Sequence, residues 1–480
     1  MSEIRVRRAK QIAAEIRVPG DKNISHRAVM LAGLANGPCE ITGFLPSEDC
    51  LATVRAMEAL GAKIEYLDAD PEDEETPFRP THLRVHGTHM KPTAPKAQID
   101  CGSSVTSLRL LTGILAAQPF DSVITGDNSL STRPMDKVID PLSAMGAKIT
   151  PTGDWQAPLT IRGSGDLKAI DYDSPVASSQ VKSAVLLAGM FAQGRTTISE
   201  PAPTRDHTER MLNQLQVKTT TVGSSIAVYG DQMPESQEIF VPGDISSAAY
   251  WLVAAAAQSG ANLNIHGVGL NPTRTGILKV LIHMGAHLTD VQNSGGQGEP
   301  NGSITVRGSS LRGIKIGGEI IANLIDELPI IAVAGALAGG TTVIRDAANL
   351  RGEATDRISA VANNLRAFGV EVKENYDGMT INGGSRLRGA RVGSFGDHRI
   401  AMAFAIAGLH AEGETVIEDC DCIASAYPNF EEHLKEFQSH RITGDGTTPV
   451  ITSLQGSRTA KRKLKGGPNL QETDEPHFDD

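Results

Sequence analysis

The chain of 480 residues repeats one pattern six times. Each copy begins with a polar residue that can cap a helix and continues as a run of small or apolar residues. The run breaks at Gly or a polar pair and leads into a β-branched stretch typical of a strand. Because a repeated pattern of this kind builds related supersecondary units, the sequence predicts six similar units. The copies begin near Ser25, Thr106, Ser178, Ser246, Asp326 and Asp397.

A second helical pattern follows the strand pattern of most units. It is amphipathic, as in "LATVRAMEALGAKI" and "RISAVANNLRAFGVEV", and most copies end in Gly-Ala or Gly-Val before another strand. Gly directly after the last periodic residue is a common helix terminator. The first helix of each unit is apolar on nearly all sides, which predicts burial inside a lobe, whereas the second has one apolar face. The sequence therefore predicts an α/β (α+β) fold of helix-strand-helix-strand units.

The tetrapeptide Val-Pro-Gly-Asp occurs twice and separates three units from three. Pro-Gly-Asp is a turn signal, and each copy leads into Ser residues suited to cap a helix. We predict that the chain crosses between two similar lobes at residues 19–21 and 242–244. The predicted domains are 22–240 for the first lobe, and 1–18 with 244–438 for the second.

Three stretches lie outside the repeat. Residues 66–80 form an acidic insertion and residues 291–303 a polar hairpin loop, and we expect both to be solvated surface. Residues 439–480 lack apolar periodicity, which predicts a disordered tail. The tail contains the basic run "KRKLK". That run is typical of a nucleic-acid contact, but a solvated tail is the favoured interpretation.

Composition narrows the function classes. A formal net charge of −11 argues against a broad nucleic-acid surface, and 4% aromatic residues leave few platforms for base stacking. The five cysteines lack the paired spacing of a zinc site, and their odd number is typical of a reducing compartment. Cys420 and Cys422 alone do not indicate a metal. The first residues lack the apolar run of a signal peptide, and the longest apolar stretches are too short for a bilayer. We expect a cytoplasmic protein without nucleic-acid or membrane partners.

Cations recur near the predicted starts of the buried helices. Helix starts carry partial positive charge and free N–H groups, so several of them directed at one cleft bind anions. Each cation alone is more often an ordinary surface charge, but recurrence at one phase of the repeat favours a cleft for phosphate plus carboxylate. A Walker loop and a Rossmann fingerprint are lacking, so a nucleotide is not favoured. The cations are Lys22, Arg27, Arg109, Lys182, Arg357 and Arg399, with Arg133 in the loop "GDNSLSTRPM".

Seven motifs, in order between about residue 8 and residue 437, resemble the enolpyruvyl transferase family. They are "PGDKNISHR", "GDNSLSTRPM", "SSQVKSAVLLAG", "EPAPTRDHTERML", "IDELPIIAVAGALAGGTTVIRDAANLR", "TDRISA" and "GDHRIAMAFA". The resemblance implies two lobes, each of three βαβαββ units, that close over 3-phosphoshikimate and phosphoenolpyruvate without a metal or organic cofactor. The implied reaction moves the enolpyruvyl group to the 5-hydroxyl and releases phosphate, and the implied assembly is a monomer. The relatives that act on UDP-N-acetylglucosamine use a mobile-loop cysteine that has no evident counterpart here.

The resemblance also implies contacts to the shikimate phosphate. Lys22 matches the lysine that reaches both substrates, and Arg27 matches the contact to the shikimate carboxylate. Asn23 stands where the family usually has Ser. Asp326 matches the carboxylate that binds the 4- and 5-hydroxyls and is a candidate base, although helix capping is an alternative role. Ser178, Ser179 and Gln180 match the stretch that holds the phosphate and ring.

The second substrate, phosphoenolpyruvate, is implied to lie among arginines. They match Arg133, Arg357 and Arg399 of this chain. Chemistry of this kind needs an acid at C3 of phosphoenolpyruvate, a base at the hydroxyl, and cations around the phosphates and carboxylates.

Further positions depart from the family pattern. "GSSVT" replaces "GNSGT", so Ser103 and Val105 stand for Asn and Gly, and Thr204 stands for Ser. "LRGEATDR" replaces "LRVKETDR", so Glu353 and Ala354 stand for a substrate-binding Lys and a proton-transferring Glu. We therefore carry two hypotheses, an active transferase in which another group supplies the proton, and an impaired or non-catalytic relative, or one with a different donor. The retained arginines favour the first.

Overall fold

The structure is a computed structural model that describes residues 2–70, 73, 78–293, 298–352 and 355–439. Glu353 and Ala354 lie outside the described residues, as do the middle of the 291–303 loop and all of the expected tail after Ser439. The acidic insertion is described only in part. The expectation of a disordered tail therefore stays a prediction.

The chain begins with two strands and then builds three units. The N-terminal strands are β1 (Glu3–Arg7) and β2 (Ala13–Ile16). The first unit contains α1 (Lys22–Leu34), β3 (Pro38–Thr42), α2 (Glu48–Ala59), β4 (Lys63–Tyr66) and β5 (His82–His86). The second contains β6 (Ile99–Asp100), α3 (Val105–Ala116), β7 (Ser122–Thr125), α4 (Asp136–Ala144), β8 (Lys148–Thr152) and β9 (Gln156–Arg162). The third contains β10 (Asp171–Asp173), α5 (Ser179–Gly189), β11 (Arg195–Ser199), α6 (His207–Gln214), β12 (Thr219–Val222) and β13 (Ser225–Tyr229), followed by β14 (Glu238–Phe240).

Three further units follow β14. The fourth contains α7 (Ile245–Ala256), β15 (Asn262–Gly269), α8 (Gly276–His283), β16 (His287–Gln292) and β17 (Asn301–Arg307). The fifth contains β18 (Lys315–Ile316), α9 (Ile320–Leu324), α10 (Leu328–Leu337), β19 (Gly340–Ile344), α11 (Arg357–Ala367), β20 (Glu371–Asn375) and β21 (Gly378–Gly383). The sixth contains β22 (Arg391–Gly393), α12 (His398–His410), β23 (Glu414–Glu418) and α13 (Phe430–Ser439). Two 3₁₀ turns lie at Ala348–Arg351 and Cys420–Ser425.

The units share one sheet topology. In the third unit, β10 pairs in parallel with β11, β11 pairs antiparallel with β13, and β13 pairs antiparallel with β12. The same order recurs in the sheets β6-β7-β9-β8 and β18-β19-β21-β20. These βαβαββ units confirm the expected fold class. The sixth unit differs, because its third place is taken by the N-terminal strand β1, which pairs antiparallel with β23.

The remaining two sheets borrow a strand from elsewhere in the chain. The parallel edge strand of the first unit is β14, and that of the fourth unit is β2. The buried apolar side chains form two clusters, one drawn from residues 24–241 and one from residues 4–18 and 245–437. We call the two bodies around these clusters the first lobe and the second lobe.

The first helix of each unit is buried as its composition predicts. In α10 every residue from Leu328 to Ala336 is buried, and α10 packs on α7 and α12 in the centre of the second lobe. Helices α3 and α5 pack closely in the first lobe. A Cβ at Gly113 of α3 would lie 2.3 Å from the carbonyl oxygen of Ala184, so this helix contact needs glycine.

The two Pro-Gly-Asp turns lie against each other. The N–H of Asp21 donates to the carbonyl oxygen of Pro242 at 2.8 Å, and the N–H of Asp244 donates to that of Pro19 at 2.8 Å. A Cβ at Gly20 would lie 1.9 Å from a neighbouring carbonyl oxygen, so the turn has room only for glycine. The two apolar clusters separate at these turns.

The residues that cap the helices are in part not those expected. Asp21 and Asp244 accept from the first free N–H groups of α1 and α7, so the aspartate of each turn does the capping in place of Ser25 and Ser246. The aspartates cap the helices because they end the turn, where the free N–H groups two or three residues later point back at their carboxylates. Ser104 caps α3 in place of Thr106, whereas Ser178 and Asp397 cap α5 and α12 as predicted.

The expectation of a fully solvated 291–303 loop is wrong for Glu299. Its side chain is 4% exposed, and its carboxylate lies 2.7 Å from Nδ1 of His207 on α6. The loop therefore contributes a contact between the lobes. Within the described ranges, no helix is long and apolar enough to cross a membrane. No group of three or more His, Cys, Asp or Glu side chains in that part of the chain is arranged to hold a metal ion.

Candidate active site

The start of α1 places Lys22 beside a carboxylate that sequence reasoning did not select. The Lys22 ammonium forms an ion pair with Asp49 of α2. The hydroxyl of Ser103 donates to the other oxygen of Asp49 at 2.7 Å. Burial opposes ionisation of Asp49, but Lys22 outweighs it and lowers the pKa of that carboxyl. Ser103, which stands where the family has Asn, thus helps to hold the carboxylate that positions Lys22.

Arg27 lies one turn further along α1 and is buried. It donates to the hydroxyl of Thr208 at 2.7 Å, to the hydroxyl of Ser183 at 2.8 Å and to the carbonyl oxygen of Asn23 at 3.0 Å. Among the described residues, no carboxylate lies within ion-pair distance of Arg27. Burial lowers the pKa of its guanidinium to about 10. A buried cation with neutral partners is suited to bind a carboxylate or phosphate brought by a ligand.

The start of α5 lies next to α3. Ser178 caps α5, and the carbonyl oxygen of Ser179 accepts a hydrogen bond from the Ser183 hydroxyl at 2.6 Å. Gln180 is held from both sides, because its amide oxygen accepts from Arg109 at 2.6 Å and its amide nitrogen donates to Thr106 at 2.9 Å. The expected residues on α1, α3 and α5 therefore lie in one connected set of helix starts.

Lys182 does not join the cations available to a ligand. Its ammonium is 5% exposed and lies 2.9 Å from Glu200 and 2.8 Å from Glu209. The two carboxylates raise the pKa of Lys182 although burial opposes them. Lys182 thus forms a buried ion-pair cluster under the helix starts, and its expected role at the anion site is not supported.

Asp326 faces the first lobe from the second. Its carboxylate forms an ion pair with Arg205, which precedes α6, and lies 2.8 Å from the guanidinium of Arg399 on α12. The two arginines hold the pKa of Asp326 well below its usual range, although burial opposes them. The helix-cap alternative is wrong, since Glu327 occupies the N-cap position of α10 and makes no side-chain cap bond.

Arg357 and Arg399 are linked through one aspartate. The guanidinium of Arg357 lies 2.6 Å from Asp397, and the same side chain caps α12 by accepting from the N–H of Arg399 at 2.8 Å. The neighbouring arginines lower the pKa of Asp397 to about 2 against the effect of burial. Arg133 is half-buried in the loop before α4, where its N–H donates to the carbonyl oxygen of Leu130 at 3.0 Å.

A cation of the first lobe affects the pKa of a histidine at the start of α12 in the second lobe. Burial lowers the pKa of His398, and Arg399 of its own lobe and Lys22 of the first lobe lower it further. Lys22 is therefore within electrostatic reach of His398 at the start of α12. We call the space between these groups the cleft and define it by Lys22, Arg27, Arg205, Asp326 and Arg399. The sequence motif "TRDHTER" contains Arg205, but its position before a predicted helix did not distinguish it from an ordinary surface arginine.

Two positions that differ from the family pattern, Thr204 and Val105, make contacts within the first lobe. Thr204 donates to the carboxylate of Glu200, at 2.9 and 2.8 Å from its two oxygens. Val105 is the first residue of α3, and its side chain packs partly against the core of the first lobe. A right-handed helical position does not need glycine for its backbone, so the effect of Val105 is on the space beside the helix start. Glu353 and Ala354 lie outside the described residues.

The arrangement combines several cations with one ionised carboxylate in a partly buried place. Such a site binds a ligand with more than one anionic group and keeps a carboxylate within reach of a hydroxyl. The attraction between Asp326 and Arg205 is strong because water screens it little: Asp326 is 14% exposed and Arg205 is 17% exposed.

Comparisons with known proteins identify the family of this chain. The profile of the EPSP synthase family (3-phosphoshikimate 1-carboxyvinyltransferase) matches residues 6–434. The 3-phosphoshikimate 1-carboxyvinyltransferase of Akkermansia muciniphila is 51% identical over 424 residues, 88% of this chain and 96% of the relative. That of Desulforamulus reducens is 48% identical over 438 residues, 90% of this chain and 99% of the relative.

A solved structure of EPSP synthase from Acinetobacter baumannii superposes with a TM-score of 0.82 at 40% identity, and it covers 91% of this chain and 98% of the solved one. Family profile, sequence relatives and solved structure thus agree over nearly the whole described chain. The chain belongs to the EPSP synthase family, the 3-phosphoshikimate 1-carboxyvinyltransferases.

Proposed function

We propose that this protein transfers the enolpyruvyl group of phosphoenolpyruvate to the 5-hydroxyl of 3-phosphoshikimate and releases phosphate, a step in aromatic amino-acid biosynthesis. Membership of the family supports the activity. The observation that carries the proposal is Arg27, a buried cation whose three hydrogen-bond partners are all neutral. A buried cation of this kind is stabilised when an anionic ligand arrives. The carboxylate of 3-phosphoshikimate is that ligand.

The shikimate phosphate binds at the helix starts of the first lobe. Ser178, Ser179 and Gln180 hold its phosphate and ring, because the start of α5 offers free N–H groups and two hydroxyls. Asn23 lies on the same turn as Lys22 and replaces the hydroxyl of the family pattern with an amide. Its amide still offers a donor and an acceptor to the ligand.

Phosphoenolpyruvate binds against the second lobe. The guanidinium of Arg357 is held by Asp397 and that of Arg399 by Asp326, so their remaining N–H groups point in fixed directions. Arg133 closes the site from the first lobe. Arginine suits this role because its planar fork makes two parallel bonds to a carboxylate or phosphate. Lys22 lies between both ligands.

Asp326 accepts the proton of the 5-hydroxyl. Its carboxylate is paired with Arg205 and Arg399. When the phosphates and carboxylates of the ligands arrive, they compete for these arginines, and the carboxylate of Asp326 becomes a better base. Anion binding and activation of the base are therefore coupled.

Lys22 donates a proton on the other side of the reaction. The hydroxyl oxygen bonds to C2 of phosphoenolpyruvate as C3 takes up a proton, which gives a tetrahedral phosphate-bearing intermediate. Loss of a proton from C3 then breaks the C2–O bond to phosphate and restores the double bond. The ion pair with Asp49 keeps Lys22 in position for this step. Closure of the lobes around these groups excludes water.

A second candidate is a family relative that binds the shikimate phosphate but transfers poorly. Val105 favours it, because a branched side chain at the start of α3 narrows the space beside a helix start that faces phosphoenolpyruvate. A phosphate-release assay with both substrates, run beside calorimetric titration of each, separates the two. Turnover with both substrates supports the transferase, whereas tight binding of 3-phosphoshikimate without phosphate release supports the binding relative.

The same proposal covers the organisation of the protein. We take residues 22–240 as the first domain, 1–18 with 244–438 as the second, and 439–480 as a tail, and the two separate apolar clusters support this division. As the family resemblance implies, we take the protein to act as a monomer without a metal or organic cofactor. Five free cysteines support a cytoplasmic location. Light scattering after gel filtration tests the monomer.

A further inference from the structure

Glu327 is a buried carboxyl next to the candidate base, and the proposed reaction does not use it. The residue is 1% exposed. Its Oε1 accepts a hydrogen bond from the hydroxyl of Ser246 on α7. Its Oε2 is buried and has no hydrogen-bond partner among the described residues. An ionised carboxylate buried with one neutral donor is costly, so this environment favours the neutral acid.

Ser246 connects Glu327 to the crossings between the lobes. The same hydroxyl accepts from the guanidinium of Arg274 at 2.6 Å. Arg274 is 2% exposed and lies 2.9 Å from Asp21 and 3.1 Å from Asp244. These aspartates end the two Pro-Gly-Asp turns and cap α1 and α7. One buried guanidinium therefore ties the helix start that carries the substrate-binding residues of the first lobe to the second lobe.

The charge around Arg274 explains why a third carboxylate stays neutral. Arg274 contributes one positive charge, whereas Asp21 and Asp244 contribute two negative charges. An ionised Glu327 would therefore add a third negative charge to this buried group and increase the excess of negative charge. Burial raises the pKa of Glu327 to about 7, and Asp326 adds to the effect of burial while Arg274 opposes it. The charged and titratable groups that face Glu327 are Arg274, Asp326, Arg205 of the first lobe, Arg399 of α12 and Tyr250 of α7.

We propose that Glu327 is a positioning residue whose neutral carboxyl leaves Arg274 shared between Asp21 and Asp244, and so holds the crossings in the geometry that binds substrate. When Glu327 ionises, it competes for Arg274 and weakens the contact with Asp21. That contact joins the lobes, so binding at the start of α1 weakens. The functional part of this inference rests on the proposed binding of 3-phosphoshikimate, whereas the effect on stability does not.

The first test measures stability against pH for the wild type and for Glu327→Gln, which mimics the neutral acid. The folded protein keeps the Glu327 proton to a higher pH than the unfolded chain, whose carboxyl has a pKa near 4.5. The stability that protonation of Glu327 contributes is therefore fully present below the pKa of the unfolded chain. This contribution is lost as pH rises to about 7. In urea unfolding, the unfolding equilibrium constant of the wild type relative to Glu327→Gln should rise about tenfold per pH unit between about pH 5 and pH 7, and level off above.

The matched control removes one exposed carboxylate. Glu371→Gln on β20 should follow the wild type at every pH. Glu327→Ala, which lacks the hydrogen bond to Ser246, should be less stable than Glu327→Gln throughout. A ratio of wild type to Glu327→Gln that does not change with pH overturns the proposal. So does a Glu327→Gln variant that is as unstable as Glu327→Ala, because the neutral isostere should restore the contact.

The second test measures substrate binding. By calorimetry with 3-phosphoshikimate between pH 6 and pH 8.5, the wild type should lose affinity several-fold more than Glu327→Gln as pH rises. Turnover at saturating substrate should change less than KM, as expected for a residue that positions the site. An equal pH dependence in both proteins overturns the functional part. If the wild type shows no phosphate release at all, the proposed function fails, but the unfolding experiment still decides the state of Glu327.

Discussion

Arg205 and Asp326 form an ion pair across the cleft although 121 residues separate them in the chain. Arg205 belongs to the first lobe and Asp326 to the second, so the pair forms only when the lobes lie together. It also keeps the candidate base ionised and engaged until anions compete for the arginine. The pair therefore relates closure of the lobes to readiness for the reaction.

Replacing the candidate base should abolish most turnover. Asp326→Asn keeps the shape of the side chain but cannot accept the hydroxyl proton, and positioned acid–base groups contribute about 10²–10⁴-fold to rate. We expect a loss of kcat of that size in a phosphate-release assay, with binding of 3-phosphoshikimate retained. Asp290→Asn, on the exposed strand β16, serves as control. Full turnover by Asp326→Asn would show that another group is the base.

Arg27 should contribute strongly to binding of 3-phosphoshikimate. Arg27→Ala removes a charge-assisted contact and should weaken binding by about 1.5–3 kcal/mol in calorimetry. Arg27→Lys should recover only part of this, because an ammonium cannot reproduce the planar fork. Arg162→Ala, which removes an exposed arginine, should leave affinity unchanged. Equal affinities of Arg27→Ala and wild type would remove Arg27 from the site.

The charge at position 353 should depress use of phosphoenolpyruvate. Two unit charges about 4 Å apart at an effective dielectric of 20 interact by about 4 kcal/mol, so Glu in place of Lys opposes an anion strongly. Glu353→Lys combined with Ala354→Glu should raise kcat and lower KM for phosphoenolpyruvate, while affinity for 3-phosphoshikimate changes less. Steady-state kinetics with each substrate varied will show whether the gain is confined to the donor. No gain in the double variant contradicts a damaged donor site.

Val105 offers a separate test of crowding. Val105→Gly removes the branched side chain at the start of α3 and should tighten phosphoenolpyruvate binding. Glycine at a helix start costs roughly 0.5–1 kcal/mol of stability, so thermal unfolding should show a small loss. Since neighbouring changes in one pocket need not add, the variant is measured alone and with the double change. Unchanged donor KM in both backgrounds rules out crowding as a cause.

Stability should fall with acid because of buried neutral histidines. His433 is 0% exposed and pairs with the hydroxyl of Tyr427 at 2.6 Å, and burial lowers its pKa from 6.5 to about 4. Because its folded pKa lies below the unfolded one, the unfolded chain binds more protons in this window, and stability is lost as pH falls from about 6.5 towards 4. The loss is about 3 kcal/mol for a shift of this size.

Urea unfolding between pH 7 and pH 4 measures this effect. His433→Gln should be less stable at pH 7, since the network of Tyr427 and Trp251 is disturbed, but its stability should change less with pH. A pH dependence as steep as that of the wild type would show that other groups cause the acid sensitivity. His283→Gln, on the exposed end of α8, is the matched control and should retain the full dependence.

The loop at 291–303 and the caps show where reasoning from local sequence stops. Composition alone described the loop as solvated, yet Glu299 is buried because His207 of the other lobe lies opposite it. The capping roles of Ser25 and Ser246 were assigned from residue type, but the aspartates that end the two turns take them. In each case the partner lies in a distant segment or depends on the path of a turn.

The sequence by itself determined the six helix-strand-helix-strand units and the placement of cations at helix starts, because periodicity, turn residues and burial of apolar faces are local properties. The βαβαββ order was implied by the family resemblance. The family motifs named most of the proposed site residues as well. Only the tertiary structure distinguished Lys182, neutralised by Glu200 and Glu209, from Arg27, which is buried with neutral partners. Both are cations near the start of a buried helix, and what separates them is the set of groups that folding brings from elsewhere in the chain.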